Sequence, residues 1–503
     1  MKYRKYFFLI LITTLSIFLC GYDYGIRDNA LFIPFIKKYF DTNMYPGDLV
    51  LSTKPFFTWI FIPLIAKVVS ILDIQLTLFF LFVFSKFLLF SMVWKISYLL
   101  FKDIRVTYLS ITFFVLPQIS LASRSLDSVF ILSDLTFAIL LFALYYILLE
   151  RYTIACLIIG LTLFLHPLYS VYLIFIIFLY FISNYQIINI NVQFRSYVII
   201  LLTFIPYFIL MNNLSGETTS YIFMPIDWLE ILKIRSSKHM FPFSWGIFTW
   251  ANFILTVILF TISINSKPKM THHKIVMTIV GGIFLLCLAG IIFTEFVPIL
   301  QFLQLQAFRS TQYFTVISFI YFSNYCFRFF DLSENGIIRK ILLLLFLLLL
   351  IGSYPIKTTF YSWLAADKKT LIYQPLIINL DTKNSDWKDT QLWIKSNTSK
   401  NSIIIVPPYL EGFRIDSERS ILGSWKDGTM SNFSHDIAIK WWERMTDLEC
   451  YSKECKPNYS NLSEDKIKSI SIKYNANYII FEKDKYLPMS QVFANNSFVV
   501  YRI

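Results

Sequence analysis

The chain is 503 residues long, 56% hydrophobic and 19% aromatic, with only 15% charged residues and a formal charge of +13. Soluble chains carry about a quarter charged residues, so this composition excludes a water-soluble protein over most of the length and points to a polytopic α-helical membrane protein. The excess positive charge lies mainly in residues 1–355, with 25 Lys+Arg against 15 Asp+Glu (+10), compared with 20 against 17 (+3) in 356–503; this split suits topology-setting loops and not a nucleic-acid binder, which needs a basic patch on a folded soluble face.

MKYRKY followed by FFLILITTLSIFLCG lacks a small-residue cleavage pattern before charged sequence begins, so a retained first span is expected over 7–22 in place of a removed signal peptide. Next comes GYDYGIRDNALFIPFIKKYFDTNMYPGDLVLSTKP (21–55), holding Asp23, Asp28, Asp41 and Asp48 with Arg27, Lys37, Lys38 and Lys54. A hairpin between spans needs only a few residues, so a loop this long with four carboxylates is expected to form a site at the membrane surface. Asp28, six residues past the span, is the first choice for a proton acceptor, because partial desolvation at the mouth of a helix bundle makes a carboxylate more basic. Asp48, in YPGD, returns to the same surface and is the second catalytic candidate, either orienting a hydroxyl or holding a divalent cation through oxygen. The plainer alternative is a solvated loop whose acids only keep it wet.

Segment 56–72, with Pro63 and Lys67 inside it, reads as a half-buried or interfacial helix. Further spans of about 20 apolar residues are expected over 76–100, 106–122, 130–149, 152–166, 167–183, 197–212, 244–264, 275–293, 311–327 and 341–355, making eleven in all. The basic loops then share one side, which the positive-inside rule makes cytoplasmic together with the N-terminus. The 21–55 loop, 123–134, 213–243, 294–310 and the tail face the other side.

Four polar positions interrupt that outer face. Asp127 and Asp134 are seven residues apart, two helical turns, so both can share one face of a helix start, where the helix dipole alone also favours acids. His166 precedes Pro167 in LFLHPLYSVYL; a lone membrane histidine is more often a packing residue, yet ionisable groups at membrane depth are costly and mark function. Arg309 stands in LQLQAFRSTQY beside Gln301, Gln304 and Gln306, donors suited to a phosphate; the alternative is a snorkelling interfacial arginine.

From about 366 the charge density rises, so 366–503 is expected to be a soluble extracytoplasmic α/β domain following a membrane domain over 1–355. IIIVPPY (403–409) and ANYIIFEK (476–483) read as buried strands, and DIAIKWWERM and SEDKIKSISIKY as helices, the second capped by Ser463. YLEGFRIDSERSILGSWKDG gathers Arg414, Arg419, Lys426 and Trp425 after a strand, a place for sugar or phosphate binding or else a solvated loop. Cys450 and Cys455 are close enough to bridge in an oxidising compartment, the alternative being two free thiols. Cys20, Cys156, Cys287 and Cys326 lie in or beside apolar spans as small hydrophobes. The chain has no Walker loop, dinucleotide glycine fingerprint or Cys/His metal spacing, which argues against a nucleotide or zinc enzyme.

With these residues in place, the chain resembles the GT-C superfamily of integral-membrane glycosyltransferases, which includes the protein O-mannosyltransferases, the aminoarabinose transferases of lipid A and the oligosaccharyltransferases. The likeness is a first span, an acidic outer loop (YGIRDNA, YPGD), a Pro-led interfacial segment (KPFFTWIF), a helical bundle and a soluble outer domain; LHPLYSVYL, LQAFRS and IVPPYLEGFRIDSERS…WKDG…WWERM are similar to an uncharacterised bacterial branch. The resemblance implies that an acid of the first loop, here Asp28, is the catalytic base, and that outer arginines, here Arg309, hold a lipid-linked phosphate. The adjacent acidic pair of many members is missing, and Trp441-Trp442 is followed by Glu443-Arg444 where oligosaccharyltransferases have WWDYG, so oligosaccharide transfer to protein is not supported. The expected activity is transfer of a sugar from a polyprenyl-phosphate donor to a glycan, lipid or protein acceptor at the outer face of a bacterial inner membrane, with a divalent metal left open. The rival readings are a transporter or flippase, which would show paired halves with broken helices, and a non-catalytic component of envelope polysaccharide assembly.

Overall fold

The computed structural model describes residues 2–53, 60–186, 188–215, 221–265, 270–332, 336–337, 340–341, 378–379, 385–483 and 485–503. Two compact units emerge: Met1–Tyr22, Phe79–Asn213 and Lys238–Ile378 form one, and Asp23–Leu78, Leu214–Ser237 and Asn379–Ile503 form the other. The acidic loop therefore folds with the C-terminal residues.

The first unit is helical because its sequence is nearly continuous apolar residues, which can satisfy their backbone in lipid only within a helix. Its helices include Lys2–Cys20, Leu132–Leu148, Tyr152–Leu163, Pro167–Ser183, Ile190–Ser215, Ile247–Ser263, Met270–Ile291 and Thr311–Leu332, and Ile74–Phe101 runs into it from the second unit. Among the described residues, four stretches are long and apolar enough to cross a bilayer: Tyr3–Cys20, Ile74–Phe101, Ile190–Leu210 and His272–Phe296. Polar residues punctuate the joints. Asp103 caps the helix Ile104–Thr112 by accepting from the Arg105 N–H, and Pro167 opens the next-but-two helix at a position where its missing N–H costs nothing. Phe137, Tyr169 and Tyr313 meet in the core, with ring centroids 4.9–6.1 Å apart.

The expected span over 106–122 is not a continuous helix. The 106–122 stretch is helical only to Thr112, after which Ile119–Ser120 pairs antiparallel with Ser123–Arg124 in a short hairpin. Pro117 supplies no N–H and disfavours a helical residue before it, and Gln118 fixes the break by donating from Nε2 to the Phe113 carbonyl at 2.6 Å. The span expected over 341–355 lies outside the described residues except at position 341.

The second unit carries a five-stranded sheet in the order Ser420–Ile421, Ile403–Ile405, Ala476–Glu482, Phe498–Arg502, Ser490–Ala494. The first three are parallel and the last two pairings antiparallel. Trp387, Ile394, Ile404, Phe413, Ile480 and Val500 pack against one another in its core. Ser434 caps the helix His435–Asp447 and Ser463 caps Glu464–Tyr474, as its sequence signature requires. Cys450 and Cys455 form a disulfide with a Cα–Cα distance of 4.9 Å. The acidic loop contributes the helix Asn29–Phe40, which packs Phe32 against Phe61 of a nine-residue helix, Phe61–Val69. That second helix spans about 14 Å, too short to cross a bilayer; it buries Phe61, Ile62, Ile65 and Ala66 and exposes Leu64 and Val68. Residues 56–59 of the expected 56–72 helix lie outside the described residues.

Candidate functional site

Asp28 stands at the N-cap of the helix Asn29–Phe40. An aspartate there ordinarily accepts a hydrogen bond from the first turn, but its side chain makes no capping bond. Its Oδ1 instead lies 2.6 Å from Lys426 Nζ, with the two side chains 32% and 14% exposed. The turn that delivers it passes through left-handed Gly25 (φ +82) and Arg27 (φ +54). Arg27 N–H donates to Glu411 Oε2 at 2.6 Å, and Gly412 (φ +83) allows a close approach: a Cβ there would fall 2.6 Å from the Gly25 carbonyl oxygen. Arg235 braces the other side, donating to the Trp425 carbonyl and to Thr429 Oγ1, both at 2.9 Å. Burial pushes its guanidinium down to about 10, against the pull of Glu411, Asp427 and Asp28, so it is still a cation at neutral pH.

Asp48 corrects the expectation of a second catalytic acid. It is fully buried, and both its oxygens bind Arg414, at 2.7 and 3.0 Å, while Val50, Leu51 and Ile421 donate their backbone N–H groups to it. Arg414 turns its other edge to Asp427, at 2.7 and 2.9 Å. Burial would lower the Arg414 guanidinium, but Asp427 and Asp48 outweigh it and hold it above its ordinary value. The cluster is a doubly bidentate clamp between the loop and the tail, and Arg414, 4% exposed, is not a substrate cation. Arg419 is corrected as well. At 5% exposure it donates to Thr398 Oγ1 and to the carbonyls of Lys395, Thr398, Ser417 and Glu418, which uses every N–H it has and closes the end of the helix Ser385–Asn397. Loop-like sequence suggested solvent; several of the partners that bury these arginines, Asp48 for Arg414 and Lys395 and Thr398 for Arg419, are distant in the chain. Asp48 is thus engaged by Arg414 and by backbone N–H groups, and among the described residues no group of three His, Cys, Asp or Glu gathers to hold a metal.

The remaining candidates belong to the helical unit. Asp127 and Asp134 do not share a helix face: Asp127 precedes the helix, which begins only at Leu132 after an extended Ile131. Asp127 pairs with Arg124, and its carbonyl accepts from Lys86 Nζ at 3.1 Å. Asp134, in the first helical turn, lines a small cavity with Lys86, Ser85 and Ser125. His166 is half-buried, its ring 6.1 Å from that of Tyr169. Arg309 is half-buried in a polar nest: Nη2 lies 3.5 Å from Nδ1 of His239, which bonds the Ala122 carbonyl at 3.0 Å. Arg309 Nε and Gln306 Oε1 are buried with no hydrogen-bond partner among the described residues. Gln306 is itself left-handed (φ +49, ψ 50), a strained backbone for a non-glycine residue. Its carbonyl accepts from Tyr172 Oη at 2.8 Å.

Sequence reasoning missed Lys86, His239, Glu411, Asp427 and Arg235. Lys86 had a visible signal, a lone cation inside LFVFSKFLLF that is only 3% exposed in the fold. The others had none, because their partners are remote in the chain.

A family model described as a domain of unknown function (DUF6798) matches residues 385–448. No curated protein matches the sequence. Among solved structures, the chain is similar to ArnT from Cupriavidus metallidurans bound to undecaprenyl phosphate, at a TM-score of 0.53 and 10% identity, covering 99% of this chain and 97% of that one. It is also similar to the Archaeoglobus fulgidus oligosaccharyltransferase in its apo form, at a TM-score of 0.52 and 10% identity over 94% of this chain and 69% of that one. AglB from the same organism, in complex with an inhibitory peptide and a dolichol-phosphate, matches at a TM-score of 0.50 and 12% identity over 96% and 69%. These neighbours give the chain a GT-C-like architecture. Together with its long apolar helices, that makes it a multi-pass membrane protein.

Proposed function

We propose that the chain is a membrane glycosyltransferase that moves a sugar from a polyprenyl-phosphate carrier to an acceptor hydroxyl, at the extracytoplasmic face of a bacterial inner membrane. The observation that carries the reading is Asp28: a carboxylate at a helix N-terminus that leaves its own helix uncapped and stays one-third exposed. Such a group is accessible and held by a strained turn, which suits a base better than a cap. The neighbours' architecture supports the carrier, since ArnT is described with undecaprenyl phosphate and AglB with a dolichol-phosphate.

In this reading Asp28 takes the proton of the acceptor hydroxyl as its oxygen attacks the anomeric carbon. The bond from that carbon to the phosphate oxygen breaks, and polyprenyl phosphate leaves with the electron pair. A single displacement of this kind inverts the anomeric configuration. Within the helical unit, taken by itself, Arg309, whose Nε has no hydrogen-bond partner among the described residues, is proposed to bind a phosphate. His166, Asp127 and Asp134 line the polar interior of the helical unit and are proposed to border the donor.

The test is sugar transfer from a polyprenyl-phosphate sugar by full-length protein in detergent. Asp28→Asn should lose about a thousandfold or more of kcat while melting as the wild type does. Undiminished transfer by that variant would refute the base, and an inactive wild type across donor sugars would favour the transporter or scaffold readings.

A further inference from the structure

Resting on the reading of Asp28 as the base, we propose that Lys426 is its positioning residue: the Lys426 ammonium holds the Asp28 carboxylate ionised and turned away from the helix end it would otherwise cap, and does not itself bind the substrate phosphate. The tail cation expected at the donor is thereby assigned to the loop. The argument starts from the 2.6 Å contact, which joins residues 398 apart in sequence. An N-cap aspartate gains stability by accepting from its own helix; that Asp28 forgoes this bond means a stronger partner directs it, and an ammonium is such a partner.

Lys426 is in turn delivered by a rigid frame. It opens the short helical turn Lys426–Asn432. The residue before it gives its carbonyl to Arg235, and the residue after it, Asp427, is locked by Arg414 at 2.7 and 2.9 Å. Gly428 keeps the turn against its surroundings: a Cβ there would meet the Trp441 ring at 2.5 Å and Arg235 Cδ at 2.8 Å. An ammonium with its neighbours pinned on both sides cannot wander far from the carboxylate it meets. Charges near Asp28 include Arg27, beside it in the chain, and Arg235, whose guanidinium feels Asp28, Glu411 and Asp427. Arg27 gives its backbone N–H to Glu411, and Asp427 is neutralised by Arg414. At 2.6 Å, Lys426 is a cation in direct contact with the Asp28 carboxylate before a hydroxyl arrives.

The experiment uses full-length protein in detergent micelles. Asp28 is labelled with a water-soluble carbodiimide and an amine, a reaction of the protonated carboxyl, and the yield is followed by mass spectrometry across pH. Lys426→Gln should move the midpoint of Asp28 labelling up by about one pH unit, move the acidic limb of the kcat/KM profile with it, and leave the melting temperature within error. Lys426→Arg should keep both midpoints near the wild type. An unchanged labelling midpoint in Lys426→Gln overturns the inference, as does an equal shift in Lys426→Arg. A shifted midpoint in protein whose wild type transfers no sugar overturns the base reading on which the inference rests, and shows that failure separately from any failure of the pairing.

Discussion

Arg414 and Arg309 are both arginines set among polar side chains inside their respective units, and they are satisfied to opposite degrees. Arg414 is buried and meets two carboxylates, each through two contacts, in a cluster whose acids are in turn held by backbone N–H groups. Arg309 keeps a buried Nε without a hydrogen bond, beside a Gln306 whose amide oxygen has none and whose backbone is strained. A buried polar network that closes on itself stabilises and positions; one left open costs energy until something completes it. The first is therefore architecture, and the second is the one we propose a ligand completes.

Three experiments bear on that contrast. The largest effect is expected at Asp48: Asp48→Asn leaves the Arg414 cation buried with half its partner charge and should destabilise the protein by about 3 kcal/mol, read as a lower melting temperature. Transfer per folded molecule should fall far less than in Asp28→Asn. If Asp48→Asn melts normally and yet loses transfer, the closed cluster is catalytic and the contrast is broken. Arg309→Met comes next. It removes an unsatisfied donor, so the melting temperature should hold or rise, while the lost charge-assisted contacts raise KM for the lipid-linked donor by about 10–100-fold. Destabilisation with unchanged KM would mark Arg309 as structural.

The smallest effect concerns Glu418, which pairs with Lys37 of the loop at 3.0 Å and with Lys395 at 2.8 Å. Burial would raise its carboxyl, but the bonds from Lys395 and Lys37 outweigh it and hold it below its ordinary 4.5. A depressed carboxyl contributes its full stability above that ordinary value and loses it as pH falls through the lower folded value. The melting temperature should therefore begin to drop below pH 4.5, and the paired substitution Lys37→Gln with Lys395→Gln should flatten that acid slope.

The contrast also explains what could be read ahead of the fold. Apolar runs announced most of the helices, because hydropathy acts locally, and they misled at 106–122 only where Pro117 broke a run of suitable composition. Ser463 and the strand around Ile403 were legible for the same reason. Asp28 stood out through its position just past the first span. Asp48 ranked second, being an acid in the same loop, and the difference between them in the fold lies in partners 366 and 398 residues away. Arg414 and Arg419 read as a cationic loop because charge suggests solvent, yet the fold buries both among acceptors that no local pattern reveals.

Composition and periodicity by themselves determined that this is a membrane chain with an appended α/β tail, since the preference of apolar residues for lipid is additive along the sequence. Which carboxylate is fully buried against an arginine and which stays one-third exposed beside a lysine was decided only in three dimensions. Ion pairing and burial depend on distances between groups, and those distances are set by the packing of segments that the sequence keeps hundreds of residues apart.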